Sequence, residues 1–149
     1  MLIKPKSRIK KREFKRIRVN NRIRSTLKNS LARIALSAPD PERRKEAAKN
    51  LREGNPQEVS LLLKQALLNE KSEDVRKSVR FSLATLQLKH PDPEIRRESL
   101  SLLSGSLEPE VKNLLITALE KNSDGTWIES EADIRERIAK ELAKANCQN

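Results

Sequence analysis

At 149 residues, with a net charge of +11, 36% charged residues and only 2% aromatic, the chain excludes several protein classes at once. Three glycines are too few for the turns of a β-sandwich or barrel, and a composition led by Leu, Ala, Glu, Lys and Arg is helical. One Cys (Cys147) and one His (His90) cannot build a disulfide framework or a Cys/His zinc site.

The charge is concentrated at one end. Residues 1–30 hold twelve Lys and Arg against the single acid Glu13, whereas residues 31–149 hold twenty bases and twenty acids. Residues 1–17 read as a basic arm, expected to be flexible. Lys10, Lys11, Arg12, Lys15, Arg16, Arg18, Arg22 and Arg24 form the candidate interaction strip. Three readings of that strip are open. It could neutralise nucleic-acid phosphates, which would make binding fall steeply with salt. It could face anionic lipid headgroups, or it could be a solvated linker with no dedicated partner. The later segments carry no net charge and no aromatic stacking platform accompanies the strip, which weighs against nucleic acid without placing it behind lipid, and the solvated linker leads the three. No apolar run approaches the ~18–20 residues of a membrane span. No apolar stretch follows the positive N-terminus, as a secretory signal would require. The chain is therefore expected to be cytoplasmic, or a piece of a longer polypeptide that supplies its own targeting.

A first helix is predicted over roughly 21–37 (NRIRSTLKNSLARIALS), with Ile23, Leu27, Leu31 and Ile34 at helical spacing. These four are expected to cap a helical stack. Beyond them the chain repeats itself. APDPERRKEAAKNLREGNPQEVSLLLKQALLNE (38–70) aligns without a gap on HPDPEIRRESLSLLSGSLEPEVKNLLITALEKN (90–122). From Pro39 to Glu70, thirteen of thirty-two positions are identical. Looking for such a period comes before any other reading of fold. Each copy opens with Asp at an N-cap (Asp40, Asp92) and Pro at the first helical position, where its missing N–H costs nothing. Apolar residues follow at helical spacing: Ala47, Ala48 and Leu51, then Ile95, Leu100 and Leu103. After a short break each copy continues into a second helix, through Val59, Leu62, Leu63, Ala66 and Leu67 or Val111, Leu114, Leu115, Ala118 and Leu119.

A third segment at 72–89 carries Val75, Val79, Leu83 and Leu86 on one face, and its counterpart at 131–145 carries Ile134, Ile138 and Leu142. Aligning these two needs an offset of 59 instead of 52, which leaves seven extra residues in a loop at 122–131. That loop holds the turn signal Asp124-Gly125 and the only tryptophan, Trp127. Trp127 has two readings: an anchor for a partner, or a lid tucked over the end of a repeat. The whole is expected to be all-α, about seven helices in HEAT-like repeats forming a right-handed α-solenoid. The repeat domain would span 18–149, with units at about 38–89 and 90–146.

Catalytic chemistry finds no footing. Phosphate-binding, dinucleotide-binding, nucleophile-elbow and zincin motifs are all absent. His90 precedes Pro91 in an inter-repeat turn, and Asp92, Glu94, Glu98, Glu108 and Glu110 sit on helix entries, as caps and solvated faces do. Neither an enzyme activity nor a metal or cofactor is expected.

One stretch carries a resemblance. RVNNRIRSTLKNSLARIALSAPDPERRKEAAKNL (18–51) is similar to the helical domain that precedes the membrane spans in the permease subunit of bacterial urea ABC transporters, in the branched-chain amino acid permease group. The pattern K-x-R-V-N-N-R-x-R, then L-x-x-L spacing, then S-P-D-P-x-x-R-x-x-A-A corresponds here to Arg16 to Arg24, Leu31 to Leu36, and Ala38 to Ala48. LATLQLKHPDPEIRRESLSLL (83–103) repeats the theme, and the resemblance runs from residue 16 to about 121. It implies a non-catalytic module on the extracytoplasmic (periplasmic) face of the inner membrane. Its partners would be proteins: the permease spans and the substrate-binding protein of the transporter. Asn20 and Asn21 would then be structural, like Asp40 and Asp92, and Arg18, Arg22 and Arg24 would be helix-entry residues. The alternative is a free-standing cytoplasmic repeat protein that binds nucleic acid or anionic surfaces through the arm.

Overall fold

The computed structural model describes residues 20–53, 55–106 and 108–147. Among them the chain forms seven α-helices and no strand. The helices are α1 (Asn21–Ala35), α2 (Pro41–Asn50), α3 (Pro56–Asn69), α4 (Glu73–Gln87), α5 (Pro93–Leu103), α6 (Pro109–Ala118) and α7 (Ala132–Cys147), with a 3-10 turn at Leu51–Glu53 after α2. The basic arm and Lys10, Lys11, Arg12, Lys15, Arg16 and Arg18 lie outside the described residues.

Local chemistry explains where the helices start. The side chains of Asn20, Asp40, Asn55 and Asp92 each accept a hydrogen bond from a first-turn N–H, at 2.9–3.1 Å. Each such cap contributes about 1 kcal/mol. Proline opens α2, α3, α5 and α6, where the missing N–H has no helical partner to lose.

The core has two parts that meet along α4. One gathers Ala47, Ala48 and Leu51 from α2 and its 3-10 turn, Val59 and Leu63 from α3, and Val75, Val79, Leu83 and Leu86 from α4. The other gathers Leu100 and Leu103 from α5, Val111 and Leu115 from α6, and Ile134 and Ile138 from α7. Phe81 and Ala84, on a different face of α4, belong to this second part. Burying each Leu, Ile or Val contributes about 1.5–3 kcal/mol. α4 presents apolar atoms to both units, which is why nine of its residues are buried.

The first helix does not pack as its apolar spacing predicts. Ile23, Leu27, Leu31 and Ile34, expected to cap the stack, are 43%, 54%, 67% and 75% exposed. The body is met instead by Ala32, with the partly buried Ala35 and Leu36 beside it. A small residue at the crossing lets α1 come close to α2, and that contact points the larger aliphatic side chains outward.

Candidate functional site

The most conspicuous constellation is an arginine device repeated at four helix entries. Arg44, Arg76, Arg96 and Arg135 each stand four residues after the residue preceding their helix. Each folds its guanidinium back to donate to two carbonyls of the chain before that helix, in the loop or, for Arg76, partly in the last turn of α3. Arg44 donates to Ala38 and Pro39, both at 2.9 Å, and Arg96 to His90 and Pro91 at 2.8 and 2.9 Å. Arg76 donates to Leu67 and Glu70, and Arg135 to Glu129 and Ser130. One side chain thereby fixes each inter-helix corner.

In two of the four a carboxylate from a distant segment completes the device, whereas Arg76 pairs at 3.6 Å with Glu73 of its own helix. Arg44 makes a two-pronged ion pair with Glu70 at 2.7 and 2.9 Å, and Arg96 does the same with Glu129 at 2.8 and 3.1 Å. The carboxylates also accept backbone N–H bonds, Glu70 from Lys71 and Ser72 and Glu129 from Glu131. Arg96 follows Arg44 at the repeat offset of 52, and Glu129 follows Glu70 at the offset of 59. The 122–131 insertion has a geometric outcome: it returns Glu129 to the position that Glu70 holds in the first unit. Asn122 donates to the Thr126 carbonyl, and Thr126 donates to the Asp124 carboxylate through both its N–H and its hydroxyl. Ile128 and Glu129 then bond back to the carbonyls of Glu120 and Ala118. Gly125, at φ +84°, supplies the left-handed turn at the loop tip.

The Arg44 guanidinium holds the Glu70 carboxyl at about 2, below its ordinary 4.5. A carboxyl depressed in the folded state stabilises the fold at pH above its unfolded value, and that contribution fades as pH falls. The native chain should therefore lose stability as pH drops from about 4.5 toward 2. Glu70→Gln should flatten the slope of the denaturation midpoint in that window, as followed by far-UV circular dichroism. An unchanged slope would mean that the pair does not set the acid sensitivity.

The candidate interaction residues that are described, Arg22 and Arg24 in α1 and Trp127 in the 122–131 loop, lie in separate parts of the chain. Arg22 and Arg24 lie exposed in the first turn of α1, at whose start Asn20 is the cap, and Asn21 is the exposed first residue of that helix. Trp127 is 42% exposed, with Lys121 over its ring at 4.5 Å and Arg135 at 5.1 Å. Cation–π contacts of this kind hold the indole in place while leaving part of it in water. Asp40 and Asp92 cap α2 and α5. The His90 ring accepts the Asp92 N–H at 3.1 Å, within the α4–α5 turn. Two acids of the second unit have arginine partners. Glu94 pairs with Arg97, and Glu110 lies 3.8 Å from Arg52. No group of three or more His, Cys, Asp or Glu among the described residues could hold a metal ion.

A groove of about 630 Å³ runs between α4 and the α5–α6 turn, bordered by Lys77, Arg80, Phe81, Ser104 and Glu108. Arg52 lies over the Phe81 ring at 4.2 Å and donates to the buried Ser82 hydroxyl at 2.9 Å. Its burial lowers its pKa. Arg80 is paired with Glu73. Arg80 and Ser104 of this groove are thus engaged with carboxylates outside it, Glu73 and Glu141. No helix among the described residues is long and apolar enough to cross a membrane.

Compared with known protein families, curated proteins and solved structures, the chain matches none.

The four arginines and their two carboxylates escaped the search for site residues. The signal was present, since Arg44 and Arg96 are one of the identical pairs between the copies and Glu129 is legible at the second offset. The exposure of the α1 stripe had no sequence signal at all.

Proposed function

We propose that this chain is a HEAT-like α-solenoid module that performs no catalysis and takes no cofactor. It serves as the extracytoplasmic accessory domain of a urea-type ABC transporter permease, at the periplasmic face of the inner membrane. Its work is protein–protein contact with the permease spans and the substrate-binding protein. The observation that carries the reading is the recurrence of one corner device in two units: Arg44 with Glu70 and Arg96 with Glu129. Repeat proteins are built this way, each unit burying its apolar face only against its neighbour. Several of the motif residues behind the resemblance have structural tasks, at the start of α1 or at the α1–α2 corner. Asn20 caps α1, Asp40 caps α2, Arg44 locks the turn, and Ala47 and Ala48 are 2% and 0% exposed against α4.

The test is an immunoblot of native cell fractions with antibody raised against this domain. The expected band runs well above 17.0 kDa and stays with the membranes. A band at that mass in the soluble fraction would remove the transporter reading. The nucleic-acid alternative is tested by anisotropy of labelled duplex DNA at about 0.15 M salt, where only weak, non-specific binding is expected. Tight binding that disappears on deleting residues 1–16 would favour the alternative.

A further inference from the structure

We propose that α1 is a membrane-surface helix, which lies along an anionic phospholipid bilayer with Ile23, Leu27, Leu31 and Ile34 in the acyl boundary. At about 100° per residue these four side chains fall within an arc of about 80°. Ala32 and Leu36, which meet the body, lie on the opposite side of the helix. The stripe therefore points away from the protein, with Ala35 at its flank still meeting the body. Three of the four residues are more than half exposed.

The charge around the stripe selects the occupant. α1 carries Arg22, Arg24 and Lys28, together with Arg33 already paired to Glu58 of α3, and no acid, whereas each of the other six helices carries at least one. No Asp or Glu occurs between Glu13 and Asp40. The nineteen residues before the α1 cap add nine more Lys and Arg against Glu13 alone. Arg24 borders the stripe, and arginine can lay its apolar stem along such a surface while its head stays in water. An apolar stripe backed by basic residues, on a helix of low overall hydrophobicity, is the pattern of interfacial helices. A second copy fits less well, because two α1 helices would bring like charges together. Four side chains also fall short of the ~20–30 residues per side of a stable protein interface. A bilayer surface needs only the buried stripe and the electrostatic attraction.

The inference stands apart from the transporter reading, because it is tested on the purified chain and not in cell fractions. Flotation with phosphatidylglycerol-containing vesicles at about 0.1 M salt should carry the wild-type chain upward, and pure phosphatidylcholine vesicles should not. Leu27→Gln with Leu31→Gln keeps every charge and should weaken partitioning at least about tenfold. Arg22→Gln with Arg24→Gln should weaken it about 30-fold. All four positions are exposed, so the circular dichroism melts should match wild type. Leu27→Trp in a Trp127→Phe background should shift its emission to the blue on adding anionic vesicles. The inference is overturned if the wild type does not float, if the double Gln variant at 27 and 31 floats equally well, or if the emission stays put. A wild-type dimer dissolved by that same double variant would assign the stripe to a second copy and overturn it too.

Discussion

Replacing Arg96 by leucine should lower the folding free energy by about 3–5 kcal/mol, because it leaves the Glu129 carboxylate buried beside an apolar group. Glu129 is 4% exposed and Arg96 9%, so water cannot take over the lost partner. The same substitution also releases the carbonyls of His90 and Pro91, both of which accept from Arg96. Adding Glu129→Leu should restore much of the loss, since desolvating both charges costs nearly as much as their attraction returns. Urea denaturation of wild type, single and double variants measures this directly. A single variant no worse than the double would mean that the pair is not a buried-charge lock. The solvent-facing pair Glu136–Lys140 on α7, with both side chains more than 60% exposed, should give only a small fraction of the effect.

Leu83→Ala should cost about 2–5 kcal/mol, the range for deleting a buried leucine whose surroundings close only partly. Leu83 is 2% exposed and belongs to the first part of the core. Its loss should nevertheless be felt in the second unit. Phe81 and Ala84 on the same helix pack against the α5, α6 and α7 side chains, so α4 cannot loosen on one face alone. Trp127, held between Lys121 and Arg135 in the second unit, reports that region by fluorescence. Its urea midpoint should fall together with the circular dichroism midpoint. A fluorescence midpoint that stays put while the dichroism moves would show that the two units unfold independently.

The legible part of this fold is local. Asp40-Pro41 and Asp92-Pro93 announce helix starts because a cap oxygen and a fixed φ act within one turn. The spacing of Val75, Val79, Leu83 and Leu86 announces a buried face because the helical period is a property of the backbone. Duplication was equally open to counting, as thirteen identities at a single offset.

Two features depended on the tertiary structure. Glu129 lies 33 residues from Arg96, inside a loop whose length breaks the repeat alignment. Only the closed turn around Asp124, Gly125 and Thr126 shows that the extra residues deliver a carboxylate to the place Glu70 occupies. The direction of α1 is the other. Four aliphatic residues in a row on a helix say that one face avoids water, and they do not say whether the body or another surface receives it. Ala32 decided the matter, since its small side chain permits the close approach to α2 and turns Ile23, Leu27, Leu31 and Ile34 to the outside. From its own order of residues, then, this protein determined its seven helices, an aliphatic core and a basic end. Packing decided which face of the first helix remained open, because contacts between distant segments are chosen by shape and not by period.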